Sequence, residues 1–299
     1  MSDTDSVSTL PPATTIRRVG VVGCGLMGSG IAEVCARAGL EVMVLEADAD
    51  AVVAGQKRVD GSFANAVRRG KLDEQDRVAA SEAIRFSHDP DDLADRDLVI
   101  EAVVEDEAAK IEVFRMLDKV VTSQHAILAS NTSSIPIMKL AMATSRPDRV
   151  VGLHFFNPVP VLPLVEVVSS LLTSDATTAT VREFAEGPLA KHVIRSQDRA
   201  GFIVNALLIP YLLSAIRMLE SGFATAEDID VGMVEGCAHP MGPLALTDLI
   251  GLDTTMAVAD SLYEEFREQL YAPPPLLSRM VEAGLLGRKS GRGFYEYGR

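Results

Sequence analysis

A histidine and a glutamate bracket a proline-rich turn in the stretch His154-Phe-Phe-Asn157-Pro-Val-Pro-Val-Leu-Pro-Leu-Val-Glu166-Val-Val. Residues 149–154 are short and β-branched, and residues 162–168 are apolar apart from Glu166, so both read as strands. Apolar strands of this kind are buried, and an ionised carboxylate inside one is costly unless something pairs with it. If the two strands return on each other, His154 is placed to be that partner. A carboxylate that fixes an imidazole is an arrangement for general acid–base work. The plainer reading is a satisfied core histidine, and the rest of the chain must decide between the two.

A second constellation lies near the start. Residues 16–22 form a β-branched strand that runs into Gly23-Cys24-Gly25-Leu26-Met27-Gly28, and a helical pattern follows over residues 29–38. A second strand, residues 41–46, closes on Glu46. In such a βαβ unit the first glycine allows a tight turn, the second lets a pyrophosphate approach the backbone, and the third lets helix and strand pack closely. The helix N-terminus adds N–H donors and a favourable dipole. An acid about 20 residues on completes the dinucleotide fingerprint. Its carboxylate can accept from the adenosine ribose and repels a 2′-phosphate, so NAD is expected over NADP.

Three more polar groups fall at predicted strand ends, where doubly wound sheets bind ligands: Glu105 with Lys110, the cluster Asn131-Thr-Ser133-Ser134, and His154 itself. Asn131 and the serines also suit helix capping ahead of Pro136. The basic cluster Arg68-Arg69-Gly70-Lys71 ends a predicted helix over residues 49–70. It reads either as a cationic helix C-terminus or as a seat for an anionic part of a substrate. Asn205 sits early in a very apolar helix and needs a partner there, either between helices or across a domain boundary.

The elements that must hold these groups alternate between strand and helix. Strands are expected over residues 84–86, 97–105, 126–130 and 191–195, with helices over 106–121 and 173–189. This predicts an α/β fold, a Rossmann-like, doubly wound, mainly parallel sheet. Beyond about residue 199 the strands stop, and helices are expected over residues 202–220, 225–235, 244–250 and 254–269. The expected organisation is therefore a tail over residues 1–15, a dinucleotide domain over 16–198 and an all-helical domain over 199–299.

Composition narrows the function. The chain has 299 residues, 47% hydrophobic and 23% charged, with a net charge of −14. That charge argues against nucleic acid and against an anionic membrane surface. Cys24, Cys35 and Cys237 have no metal-ligand or paired spacing, which suits reduced thiols in a cytoplasm and offers no metal site. Residues 1–15 are rich in Ser, Thr and Pro, lack a signal or transit pattern, and read as disordered. The apolar run over residues 202–219 is broken by Asn205, Pro210, Ser214 and Arg217, so it reads as a buried helix rather than a membrane span.

Taken together, GCGLMG, DLVIEAVVED, ASNTSSIPI, GLHFFNPVPVLPLVEVV, GFIVNALLIPYLLSA, PMGPLALTDLIGLD and GRKSGRGFYEY resemble the L-3-hydroxyacyl-CoA dehydrogenases, most nearly the short-chain 3-hydroxybutyryl-CoA type. The resemblance spans nearly the whole chain after the tail. It implies an NAD-dependent oxidoreductase acting on an acyl-CoA substrate, in fatty acid metabolism, and a homodimer formed through the helical domain. It implies that His154 is the catalytic base, Glu166 its partner, and that Ser133 and Asn205 meet the substrate near the reacting oxygen. It implies cofactor contacts at Gly23, Gly25, Leu26, Met27, Gly28, Glu46, Glu105, Lys110, Ser133, Asn157 and Lys289. Ser62 and Arg69 resemble the family's coenzyme A contacts by their position in the helix.

Three departures stand out. Leu162-Pro163 replaces the family's frequent Met-Lys, Arg199-Ala200 replaces Thr/Ser-Pro, and Glu46 replaces an aspartate. The β-hydroxyacid dehydrogenases need a lysine four residues before the asparagine, where this chain has Gly201. The sugar-acid dehydrogenases related to lens crystallin share the His–Glu logic. A non-catalytic NAD-binding protein on the same fold is the remaining alternative.

Overall fold

The computed structural model describes residues 16–298, so the expected disordered tail over residues 1–15 lies outside the described residues. Two compact units emerge, one of residues 16–132 together with 137–195, the other of Ser133–Pro136 and residues 196–298. The first unit and the start of the second carry, in order, β1 (Arg18–Val22), α1 (Leu26–Arg37), β2 (Glu41–Leu45), α2 (Ala49–Arg68), α3 (Glu74–Glu82), β3 (Ile84–Ser87), β4 (Leu98–Glu101), α4 (Glu107–Val120), β5 (Ile127–Ser130), α5 (Ile137–Ala141), β6 (Val150–Phe155), β7 (Leu164–Ser169), α6 (Asp175–Glu186) and β8 (His192–Gln197). The strands form one eight-stranded sheet in the order β3-β2-β1-β4-β5-β6-β7-β8.

Strands β3 to β6 in that order are parallel neighbours, and the β6–β7 pair is antiparallel. The parallel strands β4, β5 and β6 are buried along their whole length, as a sheet covered on both faces requires. Val19, Val21, Ile100, Ala129, Val151 and Leu153 of the sheet meet Ile31, Ala32 and Cys35 of α1 in one core. Asp48, Asp73 and Asp106 cap α2, α3 and α4 by accepting from first-turn amides. Helix α1 begins at Gly25 without any side-chain cap.

The second unit is helical: α7 (Val204–Glu220), α8 (Ala226–Cys237), α9 (Pro243–Ile250), α10 (Leu252–Phe266) and α11 (Pro275–Glu282). Ile209, Leu213 and Ile216 of α7 share a core with Leu244 of α9, Leu262 of α10 and Leu277 of α11. Among the described residues no helix is long and apolar enough to cross a membrane.

Several expected elements need correction. The strand expected over residues 97–105 ends at Glu101, because the Glu101 carboxylate accepts from Val103 N at 2.8 Å and the chain turns out of the sheet. Helix α3 was not expected: its sequence EQDRVAASE is polar and buries only Ala80. Helix α11 was not expected either, since Pro273-Pro274-Pro275 reads as a spacer. Pro275 instead occupies the first helical position, where its missing N–H costs nothing.

Candidate active site

The glycine turn follows β1 directly. Gly23 has φ +86°, a left-handed conformation suited to glycine, and donates to Leu45 O at 2.8 Å. A Cβ at Gly28 would stand 1.8 Å from Gly23 O, whereas one at Gly25 would meet nothing within 4 Å. The turn is therefore closed beneath and open above. With Gly25 as cap, the first-turn amides of Leu26, Met27 and Gly28 have no partner inside the helix. Leu26 is 69% exposed beside them. Glu46, one residue past β2, accepts from Cys24 N at 2.6 Å, and its other oxygen can receive ribose hydroxyls. These features fit a dinucleotide, with the amides of the turn for its pyrophosphate and Glu46 for its adenosine ribose.

On the antiparallel β6–β7 pair, His154 and Glu166 are direct cross-strand partners. His154 Nδ1 lies 2.7 Å from Glu166 Oε2; the carboxylate is fully buried and the imidazole nearly so. An ionised carboxylate accepts the Nδ1 proton, which assigns the basic lone pair to Nε2. The Phe156 ring packs against the imidazole at 4.6 Å between centroids. Asn131, just beyond β5, accepts from Phe155 N at 2.9 Å. That bond continues the β5–β6 pairing past the strand and holds the backbone beside His154. Asn131 thus serves the sheet rather than a helix cap.

A second buried cluster joins the ends of β4 and β5. Lys110 Nζ lies 2.5 Å from Glu101 Oε1 and 3.2 Å from Glu105 Oε2. Glu101 Oε2 accepts from Ser130 Oγ at 2.6 Å, and Thr132 Oγ1 donates to Glu105 Oε1 at 2.5 Å. The sequence paired Lys110 with Glu105; the closer partner is Glu101.

In the second unit, Ser133 opens the segment that groups with the helices, where Ser134 O accepts from Ser261 Oγ at 3.1 Å. Asn205 lies in the first turn of α7 and is half-buried. Lys289 is ion-paired with Asp253 of α10 at 2.5 Å.

Residues 18–199 match the NAD binding domain of 3-hydroxyacyl-CoA dehydrogenase, and residues 201–297 match its C-terminal domain. The chain belongs to the 3-hydroxyacyl-CoA dehydrogenase family. It is 62% identical over 282 residues to 3-hydroxybutyryl-CoA dehydrogenase of Mycobacterium tuberculosis, covering 94% of this chain and 99% of the relative. The crystal structure of M. tuberculosis FadB2 superposes with a TM-score of 0.94 at 61% identity, over 95% of this chain and all of that one. (S)-3-hydroxybutyryl-CoA dehydrogenase PaaH1 of Ralstonia eutropha gives 0.90 at 46% identity, over 95% of this chain and 100% of that one.

Among the family-predicted positions, the fold draws together the turn with Glu46, the pair His154–Glu166, and Glu105 with Lys110. Ser62 donates to the buried Glu33 of α1 at 2.5 Å, so its hydroxyl proton ties α2 to α1. Arg69, at the end of α2, is exposed. Asn157 precedes Pro158 through a cis peptide in the β6–β7 turn.

That turn has a clasp which sequence reasoning missed. Lys191, buried next to β8, donates from Nζ to Val159 O at 2.6 Å and to Leu162 O at 2.7 Å. Val159 in turn packs against Gly30 of α1, where a Cβ would approach Val159 Cβ to 2.9 Å. One ammonium thus fixes the turn between the two site strands, and the turn rests on the helix that follows the glycine motif. Lys191→Met leaves both carbonyls without this donor and is expected to destabilise the unit by about 1–3 kcal/mol, read by thermal unfolding. Burial pushes the Lys191 ammonium below its ordinary range. The unfolded chain then holds that proton to higher pH than the folded one, so wild-type stability relative to Lys191→Met should rise as pH climbs through the folded pKa.

Proposed function

We propose that this protein interconverts (S)-3-hydroxyacyl-CoA and 3-oxoacyl-CoA with NAD, with short chains of the 3-hydroxybutyryl type as substrate. The observation that carries the reading is the buried His154–Glu166 pair on the same sheet as a glycine turn built for a dinucleotide. The names of the relatives support the acyl-CoA assignment. Bound NAD supplies the hydride acceptor for C3 of the substrate.

The chain supplies the proton handling and the positioning. His154 Nε2 takes the proton of the 3-hydroxyl as the carbonyl forms, and returns it in the reverse direction. Glu166 holds the imidazole in the tautomer that leaves Nε2 basic, and stabilises the imidazolium once the proton has moved. Ser133 and Asn205 orient the reacting oxygen. Leu26 and Met27 offer backbone amides, Glu46 faces the adenosine ribose, and Glu105, Lys110, Asn157 and Lys289 complete the cofactor contacts. Ser62 and Arg69 meet the coenzyme A moiety, the exposed arginine as a counter-charge for phosphate.

The deciding experiment is acetoacetyl-CoA reduction, followed by kcat/KM across acyl-CoA chain length with NADH and with NADPH. A clear preference for NADH and for four-carbon substrate is the expected result. No turnover with any acyl-CoA would favour a sugar-acid dehydrogenase or a non-catalytic NAD-binding role. The reading includes a cytoplasmic, homodimeric protein. Leu207 and Phe223 of the helical unit, 72% and 80% exposed, supply apolar surface for such a dimer. A monomer by light scattering at assay concentration would overturn it.

A further inference from the structure

We infer that Arg58 is a positioning residue for the phosphate-binding turn, acting through the peptide between Cys24 and Gly25. Arg58 belongs to α2, far from the glycine motif in sequence, yet its Nη1 donates to Cys24 O at 2.9 Å. Helix α2 lies directly on the turn: a Cβ at Gly55 would come within 2.9 Å of Cys24 Cβ. Cys24 is therefore gripped at both backbone atoms by ions, with Glu46 on its N–H at 2.6 Å and Arg58 on its carbonyl. Burial, then the Glu46 charge, pushes its thiol up to about 12.

The consequence follows from peptide geometry. Among the described residues the cis peptide is at Asn157–Pro158, so Cys24–Gly25 is trans. In a trans peptide the C=O and the following N–H point to opposite sides. A guanidinium holding Cys24 O thus directs Gly25 N–H away from α2, at the glycine whose Cβ position is open space. A charged donor on the carbonyl also polarises the peptide and strengthens that N–H as a donor. In a chain of net charge −14, a fixed cation at the turn further favours a pyrophosphate.

This inference rests on the NAD reading, and its test is separable from it. Binding of NADH, ADP and adenosine is measured for wild type, Arg58→Met and Arg58→Lys, using NADH fluorescence and calorimetry. Loss of one charge-assisted hydrogen bond predicts that Arg58→Met weakens NADH and ADP alike by about tenfold. Adenosine, which has no phosphate, should bind unchanged, and Arg58→Lys should bind ADP more tightly than Arg58→Met. In turnover the loss should fall on KM for NADH rather than on kcat. Unchanged ADP affinity in Arg58→Met, or an equal loss of ADP and adenosine, would overturn the role. So would Arg58→Lys binding ADP no better than Arg58→Met. Acetoacetyl-CoA turnover by wild type is scored separately, so failure of the substrate assignment leaves the ADP comparison intact.

Discussion

His154→Ala is expected to lower kcat by about 10²–10⁴-fold, the usual contribution of a positioned general base. NADH binding should persist, because the turn that fits the cofactor joins β1 to α1 and Glu46 follows β2. The alanine variant has a second effect that must be separated from the first. It leaves Glu166, fully buried, without its imidazole. Breaking a buried pair from one side costs about 3–5 kcal/mol, unless the carboxylate takes up a proton. His154→Gln is the control: its amide can still donate towards Glu166 but cannot act as a base. Equal kcat losses in the two variants, with better thermal stability in the glutamine variant, would assign the loss to chemistry. Near-normal turnover in His154→Gln would sink the general-base role. Glu166→Gln should also lose most activity, since an amide at that position can donate to Nδ1 and so favour the wrong tautomer.

The two buried acids of the sheet show how far the sequence could be read. Glu166 stands inside an apolar strand and Glu101 closes one, and both carry the same warning that a partner must exist. For Glu166 the partner was legible, because two strands joined by a short turn return in antiparallel register and place His154 opposite. For Glu101 it was not. Its partner Lys110 comes from α4, after a loop whose path is set by the Glu101 carboxylate bonding Val103 N. A side chain that shapes the very loop delivering its partner leaves no periodic trace. The same limit hid Lys191 and Arg58, whose importance lies in backbone carbonyls distant in sequence. The glycine motif was readable because its glycines are required by short-range geometry, a left-handed φ at Gly23 and contact between Gly23 and Gly28. Grouping of Ser133–Pro136 with the helical unit reflects tertiary contacts that no local pattern encodes.

Glu101→Gln is expected to be the most destabilising single change in the dinucleotide unit, and the reason is Lys110. Both side chains are essentially excluded from water, and their atoms approach to 2.5 Å. With Glu101 neutralised, the ammonium keeps one carboxylate, Glu105, at 3.2 Å and on a side chain 36% exposed, beside a long contact to Val103 O at 3.5 Å. The amide must also replace a carboxylate that accepts from Lys110, Val103 N and Ser130 Oγ together, though its NH₂ group can only donate. Breaking a buried pair from one side costs about 3–5 kcal/mol, which in a unit of this size lowers Tm by on the order of 10 °C. Lys110→Met should be costly for the mirror reason, leaving Glu101 with two neutral donors. The double variant then discriminates between mechanisms. If the cost lies in the stranded charge, Glu101→Gln/Lys110→Met will be more stable than the sum of the single losses predicts, by at least about 1 kcal/mol of coupling. Strict additivity in that cycle would mean that the two side chains act independently, and that the ends of β4 and β5 are held by Ser130 and Thr132 rather than by the ion pair.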